Sequence, residues 1–343
     1  MEMTVTGAVA LLVVSLAMIL LAAEAFTNGI ELVGRRLSFS QAVVGSILAA
    51  IGTALPETIL PMVAIFSHNA SASHEIGVGA ILGAPFMLAT VGFFLIGITA
   101  LLGARAGRRT VDVKVESLTL KRDLSFFLVM YAAAIVLPAV FGHGATGPLA
   151  VFLLAGYGYY VFQTVAADSA GMEHFEGLHI VKLPVRFGWL EDREHHVAWA
   201  FFQVGAALLL MVWGAKIFVA NLQVVSAACG LSPLLFALLV APVATELPEK
   251  FNSVTWILKG KDTLAVGNMT GAMVFQATFP VSIGLLFTPW KVEGLALVSA
   301  LLALLSAAIV LGAVHFRGKL VPGVMLWGGG FYAAYALAVI FLR

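Results

Sequence analysis

The sequence predicts an all-α membrane protein of about ten transmembrane helices, built as two halves of opposite topology. Three observations carry this. The 343 residues are 61% hydrophobic and only 11% charged, where a soluble domain is roughly 25% charged. Apolar segments near the roughly 20 residues needed to cross a bilayer recur along the whole chain. Two of those segments contain near copies of one motif, Gly52-Thr53-Ala54-Leu55-Pro56-Glu57 and Ala244-Thr245-Glu246-Leu247-Pro248-Glu249. An acid deep in hydrocarbon is costly enough to mark a functional site. A proline beside it removes a backbone donor and predicts a break in the helix. Such a break is tolerable where it is buried in protein or lines a wet cavity.

The spans follow in chain order. The first covers 5–26; its leader, Met1-Glu2-Met3-Thr4, has no basic residue, unlike a cleaved secretory signal, so it is expected to be retained. The others cover 41–66, 76–102, 124–141, 148–166, 197–219, 232–258, 264–287, 294–314 and 321–342. The second and seventh hold the two acidic motifs. The third and eighth hold Gly79-x-x-x-Gly83 and Gly267-x-x-x-Gly271, small-residue spacings that let helix backbones approach closely. Trp189, Trp199, Trp290 and Trp327 fall near span ends, as an aromatic belt would.

Basic residues choose the orientation. Arg35, Arg36, Arg105, Arg108, Arg109, Lys114, Lys121, Arg122, Lys182, Arg186, Arg193, Lys259, Lys261, Arg317 and Lys319 share one side; the other has little beyond Lys291 and Arg343. Both termini are therefore expected outside, in an integral protein of a prokaryotic inner membrane. The longest polar connector, 168–196, is expected in the cytoplasm. It divides a first half, residues 1–167, from a second, residues 197–343. His174, His179, His195 and His196 lie in it and are read first as a solvated connector.

The halves also align. Ala23-Glu24-Ala25-Phe26 matches Ala215-Lys216-Ile217-Phe218. Glu57 and Glu249 follow at equal distance, and the paired glycines come next after a shorter loop in the second half. The Glu24/Lys216 position is a candidate gate charge, though Lys216 is expected to snorkel toward headgroups. The net charge of +1 implies no nucleic-acid partner. The single cysteine, Cys229, excludes an intrachain disulfide and is expected to pack inertly. No Walker-type loop, nucleophile elbow or zinc-protease pattern is present, so the chain is not read as an enzyme.

At the two motifs the chain resembles the calcium/cation antiporter superfamily, and its sodium/calcium exchanger-like branch most closely. That family has Gly-Thr-Ser-x-Pro-Glu motifs, each followed by a Gly-Asn-x-x-Gly-Ser helix; here the second partner helix reads Gly267-Asn268-Met269-Thr270-Gly271-Ala272. The resemblance implies the sodium/calcium exchanger-like fold and secondary antiport of Ca2+ against Na+ or H+. The partners are the transported cations and the lipid bilayer, with no resident cofactor. It carries cation ligation onto Glu57 and Glu249, hydroxyl donors onto Thr53 and Thr245, and backbone oxygens onto unwound turns around Ala50 and Pro242. A hard cation wants several such oxygens.

The chain departs from that pattern where the family binds sodium. The motif serine is Ala54 in one half and Glu246 in the other. The partner-helix serines are Ala84 and Ala272, Gly-Asn of the first half is Gly79-Ala80, and the polar residue one turn on is Leu88 or Gln276. Glu246 stands i, i+3 from Glu249, on a neighbouring position of one helix face. Three carboxylates in a poorly hydrated cavity cannot all stay ionised without cations. The expectation is that Glu57 and Glu249 hold the cation, Glu246 carries a proton or serves as a third carboxylate, and Gln276 and Asn268 add neutral oxygens. Glu246 can alternatively form an i, i+4 ion pair with Lys250. The rival functions are an antiporter for K+, Mg2+ or a transition metal, and a channel-like or transport-inactive protein on the same fold.

Overall fold

A computed structural model describes residues 4–36, 49–67, 70–168 and 197–341; the side chains of 49–53, 247–249 and a few others lie outside the description. The connector after residue 168, with its histidines, and residues 37–48 also lie outside it.

Twelve α-helices are described. They are α1 (Val5–Arg36), α2 (Ala49–Ile65), α3 (Ala70–Met87), α4 (Phe93–Arg105), α5 (Ser117–Phe141), α6 (Thr146–Asp168), α7 (Val197–Ala228), α8 (Pro233–Leu258), α9 (Asp262–Gln276), α10 (Phe279–Phe287), α11 (Gly294–Arg317) and α12 (Pro322–Phe341). Among the described residues seven stretches are long and apolar enough to span a bilayer, and Ala54–Ile65 and Pro233–Glu246 are shorter apolar helices. The protein is an integral membrane protein. α1 and α7 have 32 residues each, about 48 Å of helix. That exceeds a hydrocarbon core of about 30 Å, so both tilt or project.

Two spans are interrupted, and neither interruption is where the motif prolines predict one. α2 runs unbroken through Pro56 and Pro61, and α8 runs unbroken from Pro233 to Leu258 across Pro242 and Pro248. Ala50 and Pro242 therefore sit in helix, not in unwound turns. A proline deletes one ladder bond, and neighbours can accommodate the freed carbonyl. Pro242 leaves the Leu238 carbonyl without its helical donor, and α3 closes on it at Gly83, where an added Cβ would lie 2.2 Å from that oxygen. α8 also starts cleanly: Pro233 occupies its first turn, and the Ser232 hydroxyl accepts the Leu235 N–H at 3.2 Å, a cap for an otherwise orphaned donor.

The real interruptions lie in the partner helices. α3 passes into α4 through a π turn, Leu88–Gly92. Its loosened carbonyls are taken up by neighbours: Ser306 donates to Ala89 O at 2.5 Å, and Gly328 rests on Thr90 O. In the second half α9 stops at Gln276 and α10 begins at Phe279 with Pro280 in its first turn. Pro280 has no N–H for the Gln276 carbonyl.

The buried apolar residues form two clusters. The larger joins α3–α6 and α9–α12. The smaller joins α1 and α7 to one face of α2, α3 and α8. α3 and α8 are the wall between them. Val78, Ile81, Leu82 and Leu238 face the large cluster, while Ile76, Ala80, Ala237 and Ala241 face the small one. α1 pairs with α7, and Gln203 Nε2 donates to Ala25 O at 2.8 Å.

Three smaller expectations change. Trp290 is buried, donating its indole N–H to Ala134 O at 3.0 Å, and is no belt residue; Trp327 is exposed. Cys229, one residue past α7, is exposed instead of packed. Arg109 was read only as a cytoplasmic charge, yet its guanidinium grips both Asp262 carboxylate oxygens at 2.7 and 2.8 Å. Lys114 N–H donates to the same carboxylate at 2.8 Å, so the 106–116 loop fastens the ends of α8 and α9. Lys216 is exposed and Glu24 half-buried.

Candidate functional site

The site begins with Glu57. α2 carries it into the interior, only 7% exposed, on the face that also bears Leu60 and Pro61. α3 contributes Ala80 and Ala84, and α8 contributes Ala241, Pro242 and Thr245; together they enclose a cavity of about 10 Å³. That is about the space for one water-sized particle. Small side chains create the room. Gly79 and Gly83 let α3 lie directly on the α8 backbone, where a Cβ at either would come within 2.2 Å of a Leu234 or Leu238 carbonyl oxygen. Ala80 and Ala84 then face the gap without filling it. Their side chains offer it no oxygen, so among the described lining side chains the polar ones are those of Glu57 and Thr245.

Thr245 is 4% exposed, and its hydroxyl donates to Ala241 O at 3.1 Å. With the proton committed to that carbonyl, the oxygen lone pairs remain available to a cation. Thr58 does likewise on α2, donating to Ala54 O at 2.9 Å. A carboxylate and a hydroxyl from opposite halves thus line one ion-sized gap, and a carboxylate buried there is stable only when something neutralises it.

Glu246 goes elsewhere. It lies next to Thr245 in sequence but about 100° further around α8. It is not among the cavity residues. Its Oε2 pairs with Lys250 Nζ at 3.3 Å, and both side chains are 2% exposed. Gln276 Nε2, at the end of α9, donates to its other oxygen at 3.4 Å. Among the described carboxylates Glu57 lines the cavity and Glu246 does not. Among the described residues no group of three or more His, Cys, Asp or Glu side chains forms a metal cluster. Asn268 is exposed on α9 and is not brought to Glu57. Pro242 lines the cavity as expected. Ala50 and Thr53 lie in the first turns of α2, and Glu249 lies one turn beyond Thr245 in α8; their side chains fall outside the description. Among the described residues nothing lies within 4 Å of a Cβ built on Gly267, and Gly271 approaches the Tyr160 hydroxyl at 3.7 Å. The matching close approach in the second half is thus not seen there.

One buried acid escaped the sequence analysis. Asp123 is 2% exposed, accepts a hydrogen bond from Thr270 at 2.7 Å and pairs with Arg122 at 3.1 Å. Arg122 also lies 5.3 Å from the centre of the Tyr160 ring. The expected span began one residue later, at 124, so Asp123 read as loop. α5 starts at Ser117. The neighbouring Arg122 was the available clue, since an acid and a base side by side at a span end can pair and be buried.

Comparison with known proteins agrees with this architecture. The model of the sodium/calcium exchanger protein family matches residues 7–165 and 199–342. The chain belongs to that family. It is 25% identical over 331 residues to the inner membrane protein YrbG of Escherichia coli (strain K12), covering 94% of each chain. It is 24% identical over 326 residues to the putative antiporter CaxA of Alkalimonas amylolytica, covering 91% of this chain and 93% of that one. A crystal structure of the H+/Ca2+ exchanger CAX superimposes with a TM-score of 0.69 at 15% identity, covering 98% of this chain and 86% of that one; this likeness concerns the fold. The family is one of cation exchangers, so the chain is a membrane antiporter of cations and not an enzyme.

Proposed function

We propose that this exchanger moves Ca2+ across a prokaryotic inner membrane against a monovalent counter-ion, with H+ favoured over Na+, by alternating access to one site. Glu57 and Glu249 are the cation's carboxylate ligands. Thr53 and Thr245 are neutral donors, and backbone oxygens near Ala50 and Pro242 complete the shell. The observation that carries the reading is Glu57, buried at a cavity wall shared by motif helices of both halves. A divalent ion satisfies two acids there, and protons can satisfy the same acids in its absence, which makes the two compete for one place. Sodium is disfavoured because the positions that supply hydroxyls in the resembling family are Ala54, Ala84 and Ala272 here. Both termini lie outside, which the one-sided distribution of basic residues supports. α1 and α7, packed in a cluster of their own against the α3/α8 wall, are the elements that shift to expose the cavity to either side.

The test is ⁴⁵Ca2+ uptake into proteoliposomes under imposed pH or sodium gradients, with a panel of competing K+, Mg2+ and transition-metal ions. Uptake driven by a proton gradient and absent without a counter-ion is expected. Flux that needs no counter-ion identifies a channel, and exchange that depends on sodium at constant pH overturns the proton assignment.

A further inference from the structure

We infer that Lys250 is a built-in counter-cation: its ammonium holds the place beside Glu246 that a mobile monovalent ion would otherwise take. The inference rests on the proposed function only in assigning exchange to the cavity at Glu57. α8 presents two neighbouring stripes. Ala241, Pro242 and Thr245 line the cavity. Glu246, Lys250 and Ser253 stand at i, i+4 and i+7 on the other, and all three are buried.

The surroundings of the ammonium suit an ion. Glu246 supplies a carboxylate at 3.3 Å. Gln276 contacts that carboxylate at 3.4 Å through its amide nitrogen. The Gln276 amide oxygen and the Ser253 hydroxyl are buried without hydrogen-bond partners among the described residues. The carboxylate is the ligand a cation in this place would have, and the spare oxygens on Gln276, which touches that carboxylate, and on Ser253, along the same stripe of α8, are acceptors of the kind a hard cation takes. An apolar stem ending in one positive charge supplies that cation without letting it leave. Glu246 and Lys250 together carry no net charge, so the pair adds nothing to the charge moved with each transported ion. Lys250 thereby limits the number of coupling ions, and it does so from outside the exchange cavity.

Lys250→Met keeps most of the stem and deletes the charge. The full-length protein is purified in sodium chloride and, separately, in choline chloride. Melting temperature and ²²Na+ binding are then measured for wild type, K250M and E246Q/K250M. K250M is expected to gain a saturable sodium response, about one ion per chain and a rise of roughly 5 °C at saturation. Wild type and E246Q/K250M show neither. If K250M is recovered folded in sodium and lost in choline, the inference is equally supported. A K250M protein that folds and ignores sodium overturns it. So does one that fails in both salts while E246Q/K250M folds in both, because the lysine is then a structural partner only. Calcium-dependent melting of wild type and E57Q, run in parallel, tests the exchange site separately: a calcium shift that survives in E57Q removes the proposed site and leaves the sodium result standing.

Discussion

Thr245 and Glu246 are adjacent on α8 and lead to opposite arrangements. On the Thr245 side a carboxylate from the other half, Glu57, faces an ion-sized cavity walled by alanines. On the Glu246 side a carboxylate of the same helix is matched by a lysine one turn away, in a place just as buried. One acid lines a cavity and the other lies against a lysine of its own helix. Burial is common to both and decides nothing. What distinguishes an exchange site from an internal ion pair is whether the neutralising charge can leave.

The largest expected effect tests the first half of that contrast. Glu57→Gln keeps the shape and deletes the anion, and calcium transport in proteoliposomes should fall to background while the protein stays folded, as judged by its melting curve. Next, Glu246→Gln strands the Lys250 ammonium in the interior. Breaking a buried pair by removing one partner costs about 3–5 kcal/mol, whereas replacing both partners by neutral groups of similar volume is often near neutral. Thermal or denaturant unfolding should therefore show E246Q as far less stable than E246Q/K250M. A smaller effect is expected at the wall the two regions share. Gly83→Ala drives a methyl against the Leu238 carbonyl and the Pro242 ring, an overpacking worth about 1–3 kcal/mol; the rigid backbone contact leaves no side chain to give way. Least of all, Thr245→Val removes one neutral oxygen from the cavity. It should weaken calcium affinity by about 1 kcal/mol, roughly fivefold, with transport retained. If Thr245→Val abolishes transport as Glu57→Gln does, the hydroxyl matters more than a secondary ligand should.

Much of the fold was legible because bilayer thickness imposes segment length, and the ends of α1, α8 and α11 fall within a turn or a few turns of where hydropathy places them. The two motifs stood out because Leu-Pro-Glu is improbable in an apolar run. The breaks in the ladder were misplaced. A proline predicts a missing donor, but whether the helix parts depends on what meets the freed carbonyl. Gly83 meets it at Pro242 and α8 continues; at Pro280 the helix parts. Trp290 and Asp123 were misjudged for a related reason. Both sit near span ends, where burial is decided by the neighbouring helix and not by the residue's own polarity.

Sequence by itself determined that this chain lives in a membrane, that its halves repeat, which family it joins, and that Glu57 is an acid with no business in hydrocarbon. Those features are local or periodic, and composition and spacing express them directly. Only the tertiary structure decided that Glu246 belongs to Lys250 and Gln276, that Glu57 faces Thr245 across a gap kept open by alanines, and that Asn268 stays outside. Adjacent residues on a helix point about 100° apart, so which carboxylate meets a cavity and which meets a lysine depends on the helices packed against each face.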